Sequence, residues 1–261
     1  GGSTSASDLH CIVLLGCTGH GKSHSANTLS GKQAFETSDA LASKTKRVEQ
    51  SGPFEHNGSM FNVIDTPGFF DTTLELDEIQ KRLVVISNFA PKGLSAIVIV
   101  SNGRATPENQ KVLNYVTQQF GSDALAKYGI LLFPKTDKKP LELHHEIQDL
   151  PATSEYKNII QHIPKERLMS LPAAAESGWN SWWTHAKCQE DAQRTKILNT
   201  VVEMHRQRQL SSTGAHRDFL DCENFRKRRI VSEEQIMHDM NIAKQRADWN
   251  DHLRKTQKAK E

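Results

Sequence analysis

The stretch "GCTGHGKS", residues 16–23, is the most informative part of this 261-residue chain. It follows the short apolar, β-branched run "CIVLL" (residues 11–15) and opens onto a segment with helical character. Its two spaced glycines, followed by Lys22 and Ser23, satisfy the pattern G-x-x-x-x-G-K-[ST] in the strand-to-helix position that this pattern requires. Such a loop holds phosphates with its backbone N–H groups and the positive end of the helix. We therefore predict a phosphate-binding loop at the carboxyl end of a strand.

The residue types in this loop predict a nucleotide bound together with Mg²⁺. Lys22 reaches the β- and γ-phosphate oxygens, which also makes it a catalytic candidate, and the hydroxyl of Ser23 ligates the metal. His20 is most simply a spacer whose backbone contacts the ligand. The predicted nucleotide-binding residues of the loop are Gly16, Thr18, Gly19, His20, Gly21, Lys22, Ser23 and His24.

The rest of the chain alternates buried-strand patterns with amphipathic stretches. Further apolar runs are "FNVID" (61–65), "AIVIVS" (96–101), "YGILLF" (128–133) and "RLMSLPA" (167–173). Helical patterns lie between them at 77–89 and 107–120, and the segment 191–205 is predicted to be the closing helix of the domain. This alternation predicts an α/β, doubly wound, mostly parallel six-stranded sheet that binds ligands at the carboxyl ends of its strands.

One strand is predicted to be antiparallel, at the edge of the sheet. Two extended segments flank Asn57-Gly58, the pair best suited to a two-residue hairpin turn. The same residues match a glycosylation sequon, but in a chain of this composition we favour the turn.

The motif "DTPG" (65–68) follows the second apolar run. Asp65 can hold Mg²⁺ through water, and the N–H of Gly68 is placed to sense a γ-phosphate. The alternative is an ordinary Asp turn at a strand end. A threonine preceding the hairpin is expected to complete the metal shell, and we choose Thr45 over Thr37 for this role.

A third motif, "FPKTD" (133–137), predicts which base is bound. Lys135 and Asp137 form the core of the N/T-K-x-D motif, in which the carboxylate accepts hydrogen bonds from N1–H and the exocyclic amine of guanine. GTP and GDP are therefore favoured over adenine nucleotides. Pro134 occupies the Asn/Thr position and offers no side-chain hydrogen bond to brace the turn.

Composition limits the remaining possibilities. The formal charge is only +2, so nothing predicts nucleic acid as a partner, and the four cysteines lack zinc-site spacing. We expect reduced thiols and a cytoplasmic protein, at the cytosolic face of an organelle membrane if segments outside this sequence supply an anchor. A main domain over 8–208 and a polar helical extension over 209–261 are predicted. The extension carries one narrow apolar stripe, formed by Ile236, Met240, Ala243 and Ala247. Either the extension folds back on the domain, or the stripe packs against a second copy of the chain or a partner helix.

These motifs together resemble the AIG-type (GIMAP) family of septin- and Toc-related GTPases. "GCTGHGKSHSANTLSG" is similar to the family's extended loop, "DTPGFFDT" to its D-T-P-G-x-F-D-T, and "APKGLSAIVIVSNGRATPENQKVL" to its own box. The resemblance covers residues 9–208. The family commonly places Asn residues after the sixth strand to contact the base, whereas this chain has Leu171 and Pro172 there, with Leu171 as the predicted contact.

The resemblance implies a Mg²⁺-dependent GTPase with an immune or stress role, whose GTP state dimerises or oligomerises across the nucleotide face. Phe69 stands where a water-orienting glutamine would be needed, so slow intrinsic hydrolysis is expected. Arg104 matches an arginine that some relatives supply to the opposite site, which makes it a second catalytic candidate. Alternatively, Arg104 is a solvated neighbour of the helix start at Thr106-Pro107. A noncatalytic, nucleotide-bound scaffold and an ATPase remain as competing functions.

Overall fold

The computed structural model describes residues 8–37, 47–68, 84–103, 106–121, 123–136, 138–151, 154–172 and 181–211. The described strands are β1 (Leu9–Leu15), β2 (Glu49–Gln50), β3 (Phe54–His56), β4 (Ser59–Asp65), β5 (Ala96–Val100), β6 (Gly129–Phe133) and β7 (Leu168–Ser170). The helices are α1 (Lys22–Ser30), α2 (84–89), α3 (Pro107–Phe120), α4 (Ala124–Tyr128), α5 (Pro140–Gln148), α6 (Glu155–Ile160) and α7 (Ser181–Ser211), with a 3₁₀ turn at Lys165–Arg167.

One mixed sheet organises the described residues, in the order β2-β4-β1-β5-β6-β7, with β3 also paired to β4. Strands β4, β1, β5, β6 and β7 run parallel. The predicted α/β fold is therefore confirmed. Because the five strands are parallel, the loops that follow them meet at one edge, which brings together the predicted phosphate loop, the "DTPG" motif and the turn at Pro134.

The antiparallel edge differs from the sequence prediction in strand number. Two short strands, β2 and β3, both pair with β4, so the described residues form seven strands of this sheet where six were predicted. Gly52, with φ of 70°, and Pro53, which lacks an N–H, separate them. The hairpin itself is confirmed: Asn57 and Gly58 have φ of 49° and 78°, as a type I′ turn requires.

The sheet is buried on both faces, as its apolar strands predict. Alternate residues of β1 point to opposite sides, since side chains alternate along a strand. Val13 and Leu15 belong to one core cluster, with Leu113 and Val116 of α3. Ile12 and Leu14 belong to the other, whose helical members are Ala26 and Leu29 of α1 and Ile197, Leu198, Val201 and Met204 of α7.

Helix α7 is twice as long as predicted, 31 residues instead of the segment 191–205. The apolar residues from Ile197 to Met204, which reveal a helix by their periodicity, lie in its middle, and the stretches that flank the predicted segment, 187–190 and 206–209, are mostly polar. Exposed ion pairs support the polar turns on either side, where Lys187 contacts Asp191 at 3.5 Å and Arg206 contacts Glu203 at 2.7 Å. The predicted extension 209–261 lies outside the described residues beyond Ser211.

No helix within the described ranges is both long enough and apolar enough to span a bilayer.

Candidate nucleotide-binding site

The phosphate loop leaves the end of β1 and passes close to β5. A Cβ atom on Gly16 would lie 2.4 Å from the backbone oxygen of Val100, so only glycine fits there. Gly21 has φ of 83° and begins α1 without a side-chain cap, and the first turn of α1 holds no acidic residue. A helix start with these properties suits an anion, because the helix dipole and the backbone N–H groups are directed towards it.

Lys22 is held across this loop. Its side chain is 6% exposed, and Nζ donates to the carbonyl oxygen of Cys17 at 2.8 Å. The ammonium group therefore lies over the residues predicted to surround the phosphates. The other predicted loop residues, Thr18, Gly19, His20, Ser23 and His24, are partly or fully exposed along the same loop.

A hydroxyl–carboxylate pair, half-buried at Ser23 and fully buried at Asp65, lies beside the loop. Ser23 Oγ donates to Asp65 Oδ2 at 2.6 Å, and the N–H of Thr66 donates to Asp65 Oδ1 at 3.0 Å. Asp65 is fully buried, and burial raises its pKa to about 6 although Ser23, Lys22 and Thr66 each favour the ionised form. A hydroxyl and a carboxylate are oxygen ligands of the kind that Mg²⁺ prefers, so Ser23 and Asp65, two of the three predicted metal residues, fit that ion.

Gly68 packs directly against the phosphate loop. A Cβ atom at this position would lie 1.8 Å from Oγ1 of Thr18 and 2.8 Å from its backbone nitrogen. The glycine of the "DTPG" motif is therefore required by contact with Thr18, and its backbone lies at the loop where a terminal phosphate would be sensed.

The turn after β6 holds the predicted base-reading residues. Lys135 has φ of 54°, and the N–H of Thr136 donates to the carbonyl of Leu171 at 3.1 Å. Leu171 in turn donates to the carbonyl of Phe133 at 2.9 Å, and its side chain is fully buried in the core. Leu171 therefore supports this turn through its backbone, and its side chain belongs to the core.

Pro134 has a packing role that the sequence did not reveal. Its ring lies against the phosphate loop, since a Cβ on Gly21 would be 3.1 Å from Pro134 Cγ. Van der Waals contact thus joins the two loops where an Asn or Thr would use a hydrogen bond. Beside Pro134, a pocket of about 450 Å³ opens between the ends of β5 and β6, lined by Asn102, Gly103, Lys135 and Lys138 among others.

Asn109 is a second residue that the sequence analysis missed. Cys17 Sγ donates to its Oδ1 at 3.4 Å, and its Nδ2 donates to Asn102 Oδ1 at 3.3 Å. It therefore links the phosphate loop to the loop after β5. The sequence indicated Asn109 only indirectly, through the predicted helix start at Thr106. The side chain of Thr106 caps α3 by accepting a hydrogen bond from the N–H of Asn109 at 3.3 Å.

Several predicted residues lie outside the described part of the chain: Thr45, Phe69, Arg104 and Asp137. Their roles remain predictions. Within the described part, the phosphate loop, Asp65, Gly68, Lys135 and the backbone of Leu171 lie along the carboxyl edge of the sheet.

A mostly parallel sheet with a glycine-rich phosphate loop, a Ser–Asp pair beside it and the turn at Lys135 two strands away is the fold of a P-loop GTPase G domain. The chain belongs to the AIG1 family, whose model matches residues 10–227. The family predicted from the motifs is therefore confirmed.

Relatives in Arabidopsis thaliana agree with this assignment. Immune-associated nucleotide-binding protein 9 is 34% identical over 137 residues, which cover 52% of this chain and 40% of that protein. Protein 3 of the same series is 35% identical over 140 residues, covering 53% of this chain and 41% of the relative. The matched part is thus about two fifths of the length of these relatives.

Solved structures share the fold at low sequence identity. Toc33 from Arabidopsis thaliana in complex with GDP and Mg²⁺ superposes with a TM-score of 0.52 at 16% identity, covering 75% of this chain and 85% of that one. Toc33 in complex with Mg²⁺ and GMPPNP gives 0.52 at 15% identity, covering 76% and 86%. A dimerisation-deficient mutant of Toc33 gives 0.52 at 17% identity, covering 75% and 85%.

Proposed function

We propose that this chain binds GTP and GDP with Mg²⁺, hydrolyses GTP slowly, and acts as a switch whose GTP state associates through the nucleotide face. One observation carries the proposal: Ser23 donates at 2.6 Å to the fully buried Asp65, beside a phosphate loop that contacts both Gly68 and Pro134. The elements for phosphate, metal and base are thus joined by direct contact. The Toc33 complexes with guanine nucleotide and Mg²⁺ support the same ligands.

The chain's own residues account for phosphate binding. When nucleotide binds, Lys22 would donate to the phosphate oxygens, either in place of the Cys17 carbonyl or in addition to it. The phosphate oxygens are the stronger acceptors because they are charged. Ser23 directs its proton to Asp65, which leaves the hydroxyl lone pairs for a metal. When bound, Mg²⁺ would neutralise charge on the β- and γ-phosphates. Gly68 offers backbone close to the loop, where it can respond to the γ-phosphate.

Slow turnover follows from what the motif lacks. Phe69 cannot orient water, so the chain needs a group from elsewhere to reach a fast rate. An arginine from a second copy would supply one, and Arg104 is the candidate that the resemblance to the family indicates. Sedimentation in GDP and in a nonhydrolysable GTP analogue tests association: a larger mass with the analogue is expected, and equal masses at tens of micromolar would contradict it.

Competition for labelled GDP tests nucleotide binding and base choice together. We expect GTP to displace the label and ATP to fail at the same concentrations. Lys22→Ala should weaken GDP about 10- to 100-fold, the loss expected for a charge-assisted hydrogen-bonding group. Lys111→Ala is the matched control, since Lys111 is exposed on α3 and should leave affinity unchanged. Equal displacement by ATP and GTP would overturn the guanine assignment.

A further inference from the structure

Helix α1 joins the phosphate loop at one end and meets α7 at the other. The last four carbonyls of a helix have no partner within the helix. In α1, the N–H of Gly31 donates to the carbonyls of Asn27 and Thr28, at 2.9 and 3.2 Å. Two carbonyls remain, those of Leu29 and Ser30, and α1 has no basic residue in its last turn.

Arg194 of α7 supplies both missing donors. Its Nε donates to the carbonyl of Leu29 at 3.0 Å, and its Nη2 to the carbonyl of Ser30 at 3.4 Å. The guanidinium also lies 5.8 Å from the ring centre of Phe54, and Nη1 contacts His56 Nδ1 at 3.4 Å. A positive charge at this end complements the helix dipole, whose opposite end faces the phosphate site.

A second contact holds α1 and α7 in register. Thr28 Oγ1 donates to Glu190 Oε1 at 3.0 Å, and Thr28 is buried. Glu190 and Arg194 are four residues apart, so both extend from one face of α7. Together they attach the final turn of α1 to α7 by three hydrogen bonds from side chains.

We propose that Arg194, aided by Glu190, is a positioning residue for the phosphate loop. The packing of α7 against α1 then controls the affinity of the loop for nucleotide. The inference rests on the proposed nucleotide site. Helix α1 is only nine residues long, about 13.5 Å at 1.5 Å per residue, so one short hydrogen-bonded segment connects its last turn to its first. A shift of its last turn therefore displaces Lys22 and Ser23 in its first turn.

Helix α7 contains its own control. Arg208 is also half-buried, donates to two backbone carbonyls, Lys127 and Ser95, each at 3.0 Å, and lies 4.3 Å from the ring centre of Tyr128. These contacts lie at the amino ends of β5 and β6, the edge of the sheet opposite the phosphate loop. Arg208→Gln therefore removes an equivalent attachment of α7 without touching α1.

The test compares GDP release from the full chain in Arg194→Gln and Arg208→Gln, measured as the dissociation rate of a fluorescent GDP, alongside the melting temperature of each protein. Both variants should melt at lower temperature. Only Arg194→Gln should release GDP faster, by at least about fivefold, the lower range of couplings between two sites. Arg194→Lys, which keeps the charge but not the forked donors, should fall between wild type and Arg194→Gln.

Equal release rates in the two glutamine variants would overturn the inference and leave Arg194 a structural residue. Faster release that merely follows the drop in melting temperature in both variants would overturn it too. If the wild-type chain fails to bind GDP at all, the proposed function fails instead, so the two failures are distinguishable. Should Arg194→Gln not fold, Arg194→Lys against Arg208→Lys gives the same comparison.

Discussion

Three side-chain or backbone contacts around the phosphate loop explain residues that the motifs name only by type. Thr18 meets Gly68, Gly21 meets Pro134, and Cys17 meets Asn109. Each joins the loop to a different neighbouring segment. The loop thus contacts its surroundings on three sides, and substitutions at Pro134 and Asn109 should affect ligand binding without changing any predicted nucleotide-binding residue.

Gly68→Ala tests the tightest of these contacts. The new methyl group would lie 1.8 Å from Thr18 Oγ1, so the two loops must separate. We expect a loss of about 1–3 kcal/mol in the free energy of unfolding, typical of overpacking, together with weaker GDP binding. Denaturant unfolding and a GDP titration measure the two effects.

Thr18→Gly in the Gly68→Ala background provides the control. It removes Oγ1 and Cβ of Thr18, two of the three atoms nearest to the new methyl group, and leaves the backbone nitrogen at 2.8 Å. Part of the stability should return, so the double variant should lose less than the sum of the two single losses. If the losses in the free energy of unfolding are additive, the contact between residues 18 and 68 is not the cause of the destabilisation in Gly68→Ala.

Among the secondary-structure elements, the sequence predicted most reliably those whose pattern is locally complete. Helix α3 has the predicted bounds 107–120, because Thr106 and Pro107 start it and Gly121 ends it. The Asn57-Gly58 hairpin was equally well specified. Helix α7 was too short in the prediction because the mostly polar residues 187–190 and 206–209, on either side of the predicted segment, show no apolar periodicity. Strands β2 and β3 were predicted as one strand because two- and three-residue strands carry too little pattern.

Helix α7 also closes over the amino end of β1, where a buried histidine makes stability depend on pH. His10 is 5% exposed, bonds Ser95 Oγ at 3.3 Å and packs edge-on against His205 at 5.0 Å. Burial, with His205 and Arg208 nearby, lowers the pKa of His10 from 6.5 to about 4, although Asp8 opposes the shift. Asp8 is itself paired with Lys92.

The sign of the effect follows from the two protonation states. Between pH 6.5 and 4 the unfolded chain binds a proton at His10 and the folded chain does not, so stability falls as pH is lowered through this window. The loss is on the order of 3 kcal/mol for a shift of this size. Denaturant unfolding of wild type and His10→Gln at pH 7 and pH 4 measures it.

His10→Gln should lose much of the pH dependence, because glutamine does not titrate. His162→Gln is the control, since His162 is exposed and should keep the wild-type slope. A wild-type slope in His10→Gln would assign the acid sensitivity to other groups.

For the molecule as a whole, the sequence predicted the class of site far better than the contacts that hold the parts of the site together. Chemical motifs such as G-x-x-x-x-G-K-S and D-T-P-G need only local spacing to be recognised, and the parallel sheet then brings them to one edge. The roles of Pro134, Asn109 and Arg194 could not be predicted, because each depends on a partner 92 or more positions away: Pro134 on Gly21, Asn109 on Cys17 and Arg194 on Leu29.

A crystal structure of the full chain with GDP and Mg²⁺ would be the sharpest test of the proposed guanine-nucleotide site. We predict the diphosphate within hydrogen-bonding distance of the backbone of residues 19–23, Mg²⁺ on Ser23 Oγ with Asp65 behind it, and the guanine edge facing Asp137. A loop closed by its own side chains, or a base turned away from Asp137, would contradict it.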